Sequence, residues 1–514
     1  MKSLKMDLSL HILEELTTLG IKEYCVCPAA RNSAFVTILD NQDSLKPFYF
    51  YEERSAAFFA LGRARQTKRG VAIITTSGTA VGELLPAVME AHYTGVPLIL
   101  ITADRPRRYR GTGAPQSAEQ VGIFGPYVSY SEDLEAHEFC NLSLWDQHSP
   151  LHLNVCLEDP NSETEQPFLA KMNDDNQSLD QFLSSISNPF VVVSTLEIEA
   201  QETVLKFLIQ LNCPVFLEGV SGLREHPKLQ YLRITQTDKL LKTAEHAGYT
   251  IDGVLRIGGV PTFRLWRDLE SLEGSIKVCS ISQLPFKGLT YGSSVLTNIQ
   301  HFLSDYKLTP FFNSQKYQNW LKVDKNYQTK LESLIKAEPL ASQSIIHALS
   351  LSFPKKSHVY VGNSLPIREW DLAATAEDKK LQLTASRGLN GIDGQISTFY
   401  GLCAEDQHNF AILGDLTTLY DMPAPWILPQ LPNIQTTIFV INNGGGKIFD
   451  RMFASEVFQN IHDLNFKPLA DMWGLDYEKW TFGVEDLKLG KGNKNKLIEI
   501  IPNNDASKRF HTSL

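Results

Sequence analysis

Apolar residues along this chain fall into short, nearly unbroken runs separated by stretches of helical periodicity. YCVCP (24–28), FYFY (48–51), VAIITT (71–76), VPLILIT (96–102) and LHLNVC (151–156) form a first series. Runs that are apolar at successive positions suit strands of a parallel sheet covered on both faces, because neither face meets water. Polar, proline-containing text follows in EDPNSETEQP and NDDNQSLDQ, which reads as a linker. A second series comprises PFVVVST, CPVFLEG, YLRI, GVLRIGG and SIKVCSI, with fewer polar residues at its strand ends. After a helical connection near 309–340, a third holds HVYVGN, LQLTAS, NFAILGD and TTIFVINN. The pattern predicts an α/β protein of three doubly wound domains with largely parallel sheets, spanning 1–170, 188–330 and 338–514.

Length agrees with that division, since 514 residues at about 150 per domain give roughly three domains. Net charge is −10, so bulk electrostatics favour neither nucleic acid nor an acidic membrane, and an anionic ligand needs a local cluster of arginines. Seven cysteines without framework spacing point to a reducing compartment. Cys25 and Cys27 form a C-x-C pair inside a strand, where packing explains them better than metal. The first residues, MKSLKMDLSLHILEEL, suggest an amphipathic helix without a signal core, and no run of about 18 apolar residues predicts a membrane span. A cytoplasmic location is the expectation.

In open α/β sheets, ligands sit beyond the carboxyl ends of strands. AILGD (411–415) and TTIFVINNGGG (436–446) are separated by enough chain for the helical crossover that a parallel pair requires. Asp415 and Asn443 are therefore expected to face each other. A carboxylate, a carboxamide oxygen and a carbonyl from the glycine run make a partial shell of hard oxygens. Such a shell suits Mg²⁺ that keeps waters and bridges to a ligand's phosphates. Either half alone reads as a turn or a helix cap. Together, Gly414-Asp415 followed by Asn442-Asn443 match the thiamine diphosphate signature.

On these residues the chain resembles thiamine diphosphate enzymes of the decarboxylase type. The resemblance implies three α/β domains: a pyrimidine-binding domain first, a central one, and a diphosphate- and metal-binding domain last. It implies thiamine diphosphate and Mg²⁺, with Mn²⁺ as an alternative, held by Asp415, Asn443 and the carbonyl of Gly445. It also implies a homodimer or homotetramer with active sites shared between chains. The pyrimidine glutamate is Glu53, at the end of FYFYEER. Its apolar flanks favour the neutral acid, which can donate to the ring nitrogen. Glu52, on the opposite side of the strand alternation, is expected at the surface or paired with an arginine. Leu416, Ile392, Ile448 and Phe449 match positions that contact the cofactor, although ordinary core explains such apolar residues equally well.

Longer blocks narrow the resemblance to the 2-succinyl-5-enolpyruvyl-6-hydroxy-3-cyclohexene-1-carboxylate synthase (MenD) family. They are TTSGTAVGELLPAVMEAHYTGVPLILITADRP, VGNSLPIRE, SRGLNGIDGQIST and GDLTTLYD, and they cover most of the first and third domains. The implied reaction decarboxylates 2-oxoglutarate and adds the succinyl carbanion to isochorismate in menaquinone biosynthesis. Both substrates are dicarboxylates, which guanidinium groups bind bidentately. The matching positions are Arg31, Arg105, Arg368 and Arg387, with Gln116, Asn363 and Ser364 as polar partners. Arg264 stands where the family carries a lysine. In RPRRYR (105–110) only Arg105 is assigned to the site. Thr76-Ser77-Gly78-Thr79 reads as a helix cap. Pro28-Ala29-Ala30-Arg31-Asn32 departs from the usual Pro-Gly-Ser-Arg-Ser, which leaves open another thiamine diphosphate carboligase or a catalytically silent paralogue.

Overall fold

The computed structural model describes residues 3–67, 69–158, 178–308, 314–388, 390–405, 407–450, 452–453, 455–481 and 495–514. Most of the expected linker, 159–177, lies outside them. Its last residues begin the helix Leu179–Ser184, where Ser178 and Gln181 form a capping box. The chain divides into two compact units, residues 1–170 with 445–462, and residues 171–444 with 463–514.

The first unit is built on a parallel sheet of β1 (Glu23–Val26), β2 (Lys46–Tyr49), β3 (Val71–Thr75), β4 (Leu98–Asp104), β5 (Tyr130–Leu134) and β6 (Leu151–Cys156), in the order β2-β1-β3-β4-β6-β5. β3, β4 and β6 are buried at every position. β4 shows why its sequence is continuously apolar: Ile99 and Ile101 join one core, with Ile12, Leu16, Phe35 and Leu153. Leu98 and Leu100 join the opposite core, with Ala56, Ala60 and Ile73. Each such buried aliphatic contributes about 1.5–3 kcal/mol. The segment 445–462 adds Phe458 to the first of these cores, with Phe449 and Phe453 packed against it.

The second unit contains two parallel sheets. One comprises β7 (Pro189–Val193), β8 (Val215–Leu217), β9 (Gly253–Ile257), β10 (Lys277–Ser282) and β11 (Ser293–Leu296), in the order β11-β10-β9-β7-β8. The other comprises β12 (His358–Val361), β13 (Gln382–Thr384), β14 (His408–Gly414), β15 (Gln435–Ile441), β16 (Asp476–Trp480) and β17 (Lys496–Ile500), in the order β13-β12-β14-β15-β17-β16. YLRI (231–234), expected as a strand, makes only an isolated bridge from Arg233 to Val215. The buried Arg233 side chain turns instead to the carbonyl of Arg224, 2.8 Å away.

Within this unit the buried Arg224 guanidinium donates to the carbonyls of Asp371, Ala374 and Thr375. These acceptors lie at and just beyond the carboxyl end of the helix Leu365–Ala373, where the last helical carbonyls lack an intrahelical partner. The Asp371 carboxylate accepts from the backbone N–H of Gly219, 2.6 Å away. Two groups from the β8 side thus fix a helix of the other sheet. Among the described residues no helix is long and apolar enough to cross a membrane.

Candidate active site

Glu53 opens the helix Glu53–Thr67, just beyond edge strand β2, and is 8% exposed. The hydroxyl of Thr75, last residue of β3, donates to its Oε1 at 3.5 Å. Burial holds the neighbouring Cys27 thiol well above its usual range, and the carboxylates of Glu53 and Glu52 push it further the same way. Glu52 is also 8% exposed, so its expected surface position is corrected, whereas its pairing with Arg54 is present at 3.4 Å. Cys25 is a buried free thiol pushed up to about 12 chiefly by burial. Among the described residues no group of three or more His, Cys, Asp or Glu could hold a metal ion.

Arg31 is buried and donates from Nη1 to the carbonyl of Leu157, 2.7 Å away, just past β6. Its loop is closed by Asn32, whose Oδ1 accepts from Ala29 N–H and whose Nδ2 donates to the Cys27 carbonyl, both at 2.8 Å. The departure Ala29-Ala30-Arg31-Asn32 therefore has its own stabilising side chain. Arg105 donates from Nε to the Pro115 carbonyl at 2.8 Å and lies over the Tyr109 ring. That contact brings Arg105 beside Gln116, which holds a left-handed φ of 57°. A non-glycine residue in that region stores strain, which often marks a functional position.

Three arginines of RPRRYR have acidic partners inside the unit. Arg107 pairs with Asp133 and Glu138, Arg108 with both Glu158 oxygens, and Arg110 with Asp133 and Asp104. Burial opposes ionisation of Asp133, but bonds from Arg110, Asn154 and Arg107 hold it down at about 2. Gly78 is the N-cap of the short helix Thr79–Gly82, yet no side chain caps it. Its N–H goes to Gln120 Oε1 at 2.9 Å, which corrects the capping reading of Thr76–Thr79.

In the second unit, β14 and β15 are hydrogen-bonded neighbours in register from His408↔Gln435 to Gly414↔Ile441, so Asp415 and the asparagine pair leave the sheet side by side. Asp415 is buried; Oδ1 accepts from Leu416 N–H at 2.7 Å and Oδ2 from Gly444 N–H at 2.9 Å. Asn442 is structural: its Nδ2 donates to Glu499 at 2.7 Å and to the Leu464 carbonyl at 2.8 Å. Asn443 is half-buried, and its carbonyl accepts from Asn504. A carboxylate, a carboxamide oxygen and a backbone carbonyl are hard oxygen donors, a donor set whose chemistry fits a hard divalent cation. Gly445, in the first unit, has φ 131°, and a Cβ there would lie 2.5 Å from the Gln459 carbonyl oxygen. Ile448 and Phe449 follow it in a single 3₁₀ turn.

Asn363 follows β12 and is 1% exposed. Its Nδ2 donates to the carbonyls of Ser386 and Gly391 at 2.8 and 2.7 Å, while Oδ1 accepts from Arg387 Nη1 at 2.8 Å. It thereby fixes the loop that carries Arg387 and Ile392. Ser364 adopts φ 69°, ψ −124°, and its carbonyl accepts from Arg368 Nη1 at 2.8 Å. Arg368 is exposed to solvent. Desolvation first, then the charges of Arg387 and Arg267, push it down to about 10, so it stays a cation at neutral pH. Arg264 is exposed and pairs with Asp268 at 3.2 Å.

Glu218, Asp371 and Arg267 escaped the sequence reading. Glu218, next to last in CPVFLEG, is 1% exposed and bonded to Ser194 and to the N–H of Thr262. A glutamate closing an apolar strand was the available signal. Asp371 is pushed up to about 7 by burial and by the Glu218 charge, against the pull of Gly219 N–H, Arg224 and Arg387.

Three parallel-sheet α/β domains with an aspartate and an asparagine at the ends of adjacent central strands define a thiamine diphosphate enzyme. The family profile "Thiamine pyrophosphate enzyme, N-terminal TPP binding domain" matches residues 6–123. The 2-succinyl-5-enolpyruvyl-6-hydroxy-3-cyclohexene-1-carboxylate synthase of Bdellovibrio bacteriovorus is 40% identical over 98% of both chains. The protein of the same name from Akkermansia muciniphila is 36% identical over 96% of both. The chain belongs to the 2-succinyl-5-enolpyruvyl-6-hydroxy-3-cyclohexene-1-carboxylate synthase family. A solved structure of a putative thiamin diphosphate-dependent enzyme from Mycobacterium smegmatis spans 97% of this chain and 99% of its own. Its identity is 15% and its TM-score 0.43, too low to bear on the site.

Proposed function

We propose that this chain catalyses the thiamine diphosphate-dependent decarboxylation of 2-oxoglutarate and the 1,4-addition of the succinyl unit to isochorismate, a transferase step of menaquinone biosynthesis. Family membership supports the reaction. The observation that carries the site is the 2.9 Å bond from Gly444 N–H to Asp415, which joins the two halves of the cofactor signature.

Bound thiamine diphosphate supplies the nucleophilic carbon and the electron sink for decarboxylation. Asp415 and Asn443, with the Gly445 carbonyl that the motif implies, would hold Mg²⁺ or Mn²⁺, the cation that would neutralise the cofactor's diphosphate. Leu416, Ile392, Ile448 and Phe449 are assigned to its apolar contacts. Glu53 is assigned to the pyrimidine, where a buried carboxyl holds a proton at the ring nitrogen. Arg31, Arg105 and Gln116 in the first unit, and Asn363, Ser364, Arg368 and Arg387 in the second, bind substrate carboxylates and hydroxyls. Residues 1–170 serve as the pyrimidine domain, 188–330 as the central domain and 338–514 as the diphosphate domain. The active form is a homodimer or homotetramer in the cytoplasm.

The deciding experiment mixes purified protein, Mg²⁺ and thiamine diphosphate with 2-oxoglutarate, with and without isochorismate, and follows isochorismate loss and CO₂ release. Consumption of both substrates is expected. CO₂ release with isochorismate untouched makes the protein a different carboligase, and inertness despite cofactor binding makes it a silent paralogue.

A further inference from the structure

Toward the carboxyl ends of β4 and β6, the face carrying Leu98 and Leu100 turns polar. Asn154 on β6 lies in register with Thr102 on β4 and with Asp133 on β5, and it is 1% exposed. Its carboxamide is saturated. Oδ1 accepts from Thr102 Oγ1 at 3.0 Å and from Gln120 Nε2 at 2.9 Å. Nδ2 donates to Asp104 Oδ2 at 3.0 Å and to Asp133 Oδ1 at 2.8 Å. A reversed amide would set N–H against N–H and oxygen against two carboxylates, so these partners determine its orientation. His152 agrees with this assignment. Its Nε2 lies 2.7 Å from the Thr102 hydroxyl, whose proton is already given to Asn154, so the imidazole donates from Nε2. Its Nδ1 finds no partner among the described residues, which a deprotonated nitrogen of a neutral ring accommodates, and burial pushes its pKa down to about 4.

Two arms leave this hub and meet again. Gln120, fully buried, accepts Gly78 N–H on Oε1 at 2.9 Å. Gly78 has φ 91°, and a Cβ there would lie 3.4 Å from Gln116 Cα, so the height of this turn sets the seat of Gln116. On the other arm, Asp104 accepts Arg105 N–H on Oδ1 at 2.7 Å. Arg105 Nε then reaches the carbonyl of Pro115, beside Gln116, at 2.8 Å. The two arms meet at Gln116, one through hydrogen bonds and one through the close approach of the Gly78 turn, and losing the buried bonds among them leaves unsatisfied groups at about 1–3 kcal/mol each.

We propose that Asn154 and Gln120 are positioning residues that hold Arg105 and Gln116 in one fixed relation for a carboxylate-bearing substrate. The proposal rests on the substrate-binding reading of those two residues. Neither hub residue touches substrate; each acts through a backbone N–H or a carboxylate one bond away from the residue it places.

The test uses holoenzyme with 2-oxoglutarate and isochorismate as probes and the variants Gln120→Met and Gln120→Glu. Gln120→Met removes both arms at Gln120. Gln120→Glu keeps the acceptor for Gly78 N–H but faces Asn154 Oδ1 with an oxygen, so it reads out the Asn154 arm if the first variant does not fold. For either variant, KM for at least one substrate should rise about tenfold or more, kcat should stay within about threefold, and thiamine diphosphate affinity should not change. Unchanged KM for both substrates overturns the proposal. So does a KM rise matched by lost cofactor affinity, or failure of both variants to fold, since each marks a purely structural network. Wild-type turnover is measured first. Its absence removes the functional reading, whereas wild-type turnover with normal variant KM removes only this inference.

Discussion

Arg387 donates to the amide oxygen of Asn363 across 2.8 Å, and the two hydrogens of that amide go to the carbonyls of Ser386 and Gly391. Asn363 therefore does for Arg387 what a pre-organised support does for any binding group: it fixes the guanidinium before the ligand arrives. Asn363→Leu keeps the approximate volume and removes all three bonds. We expect kcat/KM to fall about 10–100-fold, with the loss mainly in KM, because two half-buried carbonyls and the half-buried Arg387 guanidinium lose their partner. Steady-state kinetics on both substrates check this. An unchanged KM would show that Arg387 is held by other contacts.

Glu53 lies where the ends of β2 and β3 meet the start of a helix, with Thr75 donating to it. Glu53→Gln preserves shape and one hydrogen-bonding oxygen but removes the titrating proton. Turnover is expected to fall about 10²–10⁴-fold, the usual range for a proton-transfer group, with little change in thermal stability. Near-wild-type kcat in the variant would remove Glu53 from the chemistry.

The legible parts of this protein are those where chemistry and chain pattern coincide. Continuous apolar runs announced β3 and β4 because both faces of each strand are covered, and the GD and NN pairs stand together because register brings the ends of β14 and β15 side by side. Edge strands β5 and β16 were not legible, since YSEDL and DYEKW carry the polar residues of half-exposed positions. The roles of Arg107, Arg108 and Arg110 were unreadable because their partners, Asp133, Glu138 and Glu158, lie far along the chain. Burial of Glu52 was missed for a related reason: alternation along a short strand says nothing about the chain that turns beyond it.

Asp371 gives the second unit a dependence on pH. Its pKa rises from 3.8 to about 7 through burial and the neighbouring Glu218, with Gly219 N–H, Arg224 and Arg387 opposing. A carboxyl raised in the folded state favours folding while it is protonated. The contribution is full below its ordinary value near 3.8 and is lost as pH rises through about 7. Asp371→Asn keeps an acceptor for Gly219 N–H and removes the charge. The variant should match or trail wild type at pH 4.5 and exceed it at pH 8, by about 2–4 °C in Tm for each kcal/mol relieved. Thermal denaturation across that range tests the difference, and parallel curves would show that Asp371 folds with an ordinary pKa.

Two glycines of the cofactor signature make opposite predictions. Gly445 has φ 131°, and an added Cβ would meet the carbonyl oxygens of Gln459 and Asn460 at 2.5 and 2.9 Å. Neither backbone atom can rotate away, and a non-glycine residue in that region costs about 1–3 kcal/mol from strain alone. Gly414 has φ −77°, and its Cβ would meet only Thr417 Oγ1, at an ordinary 3.8 Å. Gly445→Ala should therefore lower thermal stability and raise the Mg²⁺ concentration for half-maximal activity about tenfold or more, because the carbonyl assigned to the metal moves with its own backbone. Gly414→Ala should retain wild-type stability. Mg²⁺ titrations after chelator treatment, run beside thermal melts, separate the two effects. A Gly445→Ala enzyme with normal stability and normal Mg²⁺ dependence would exclude that carbonyl as a ligand. A Gly414→Ala enzyme that melts normally but loses activity would show that the cofactor, and not the fold, requires the missing side chain.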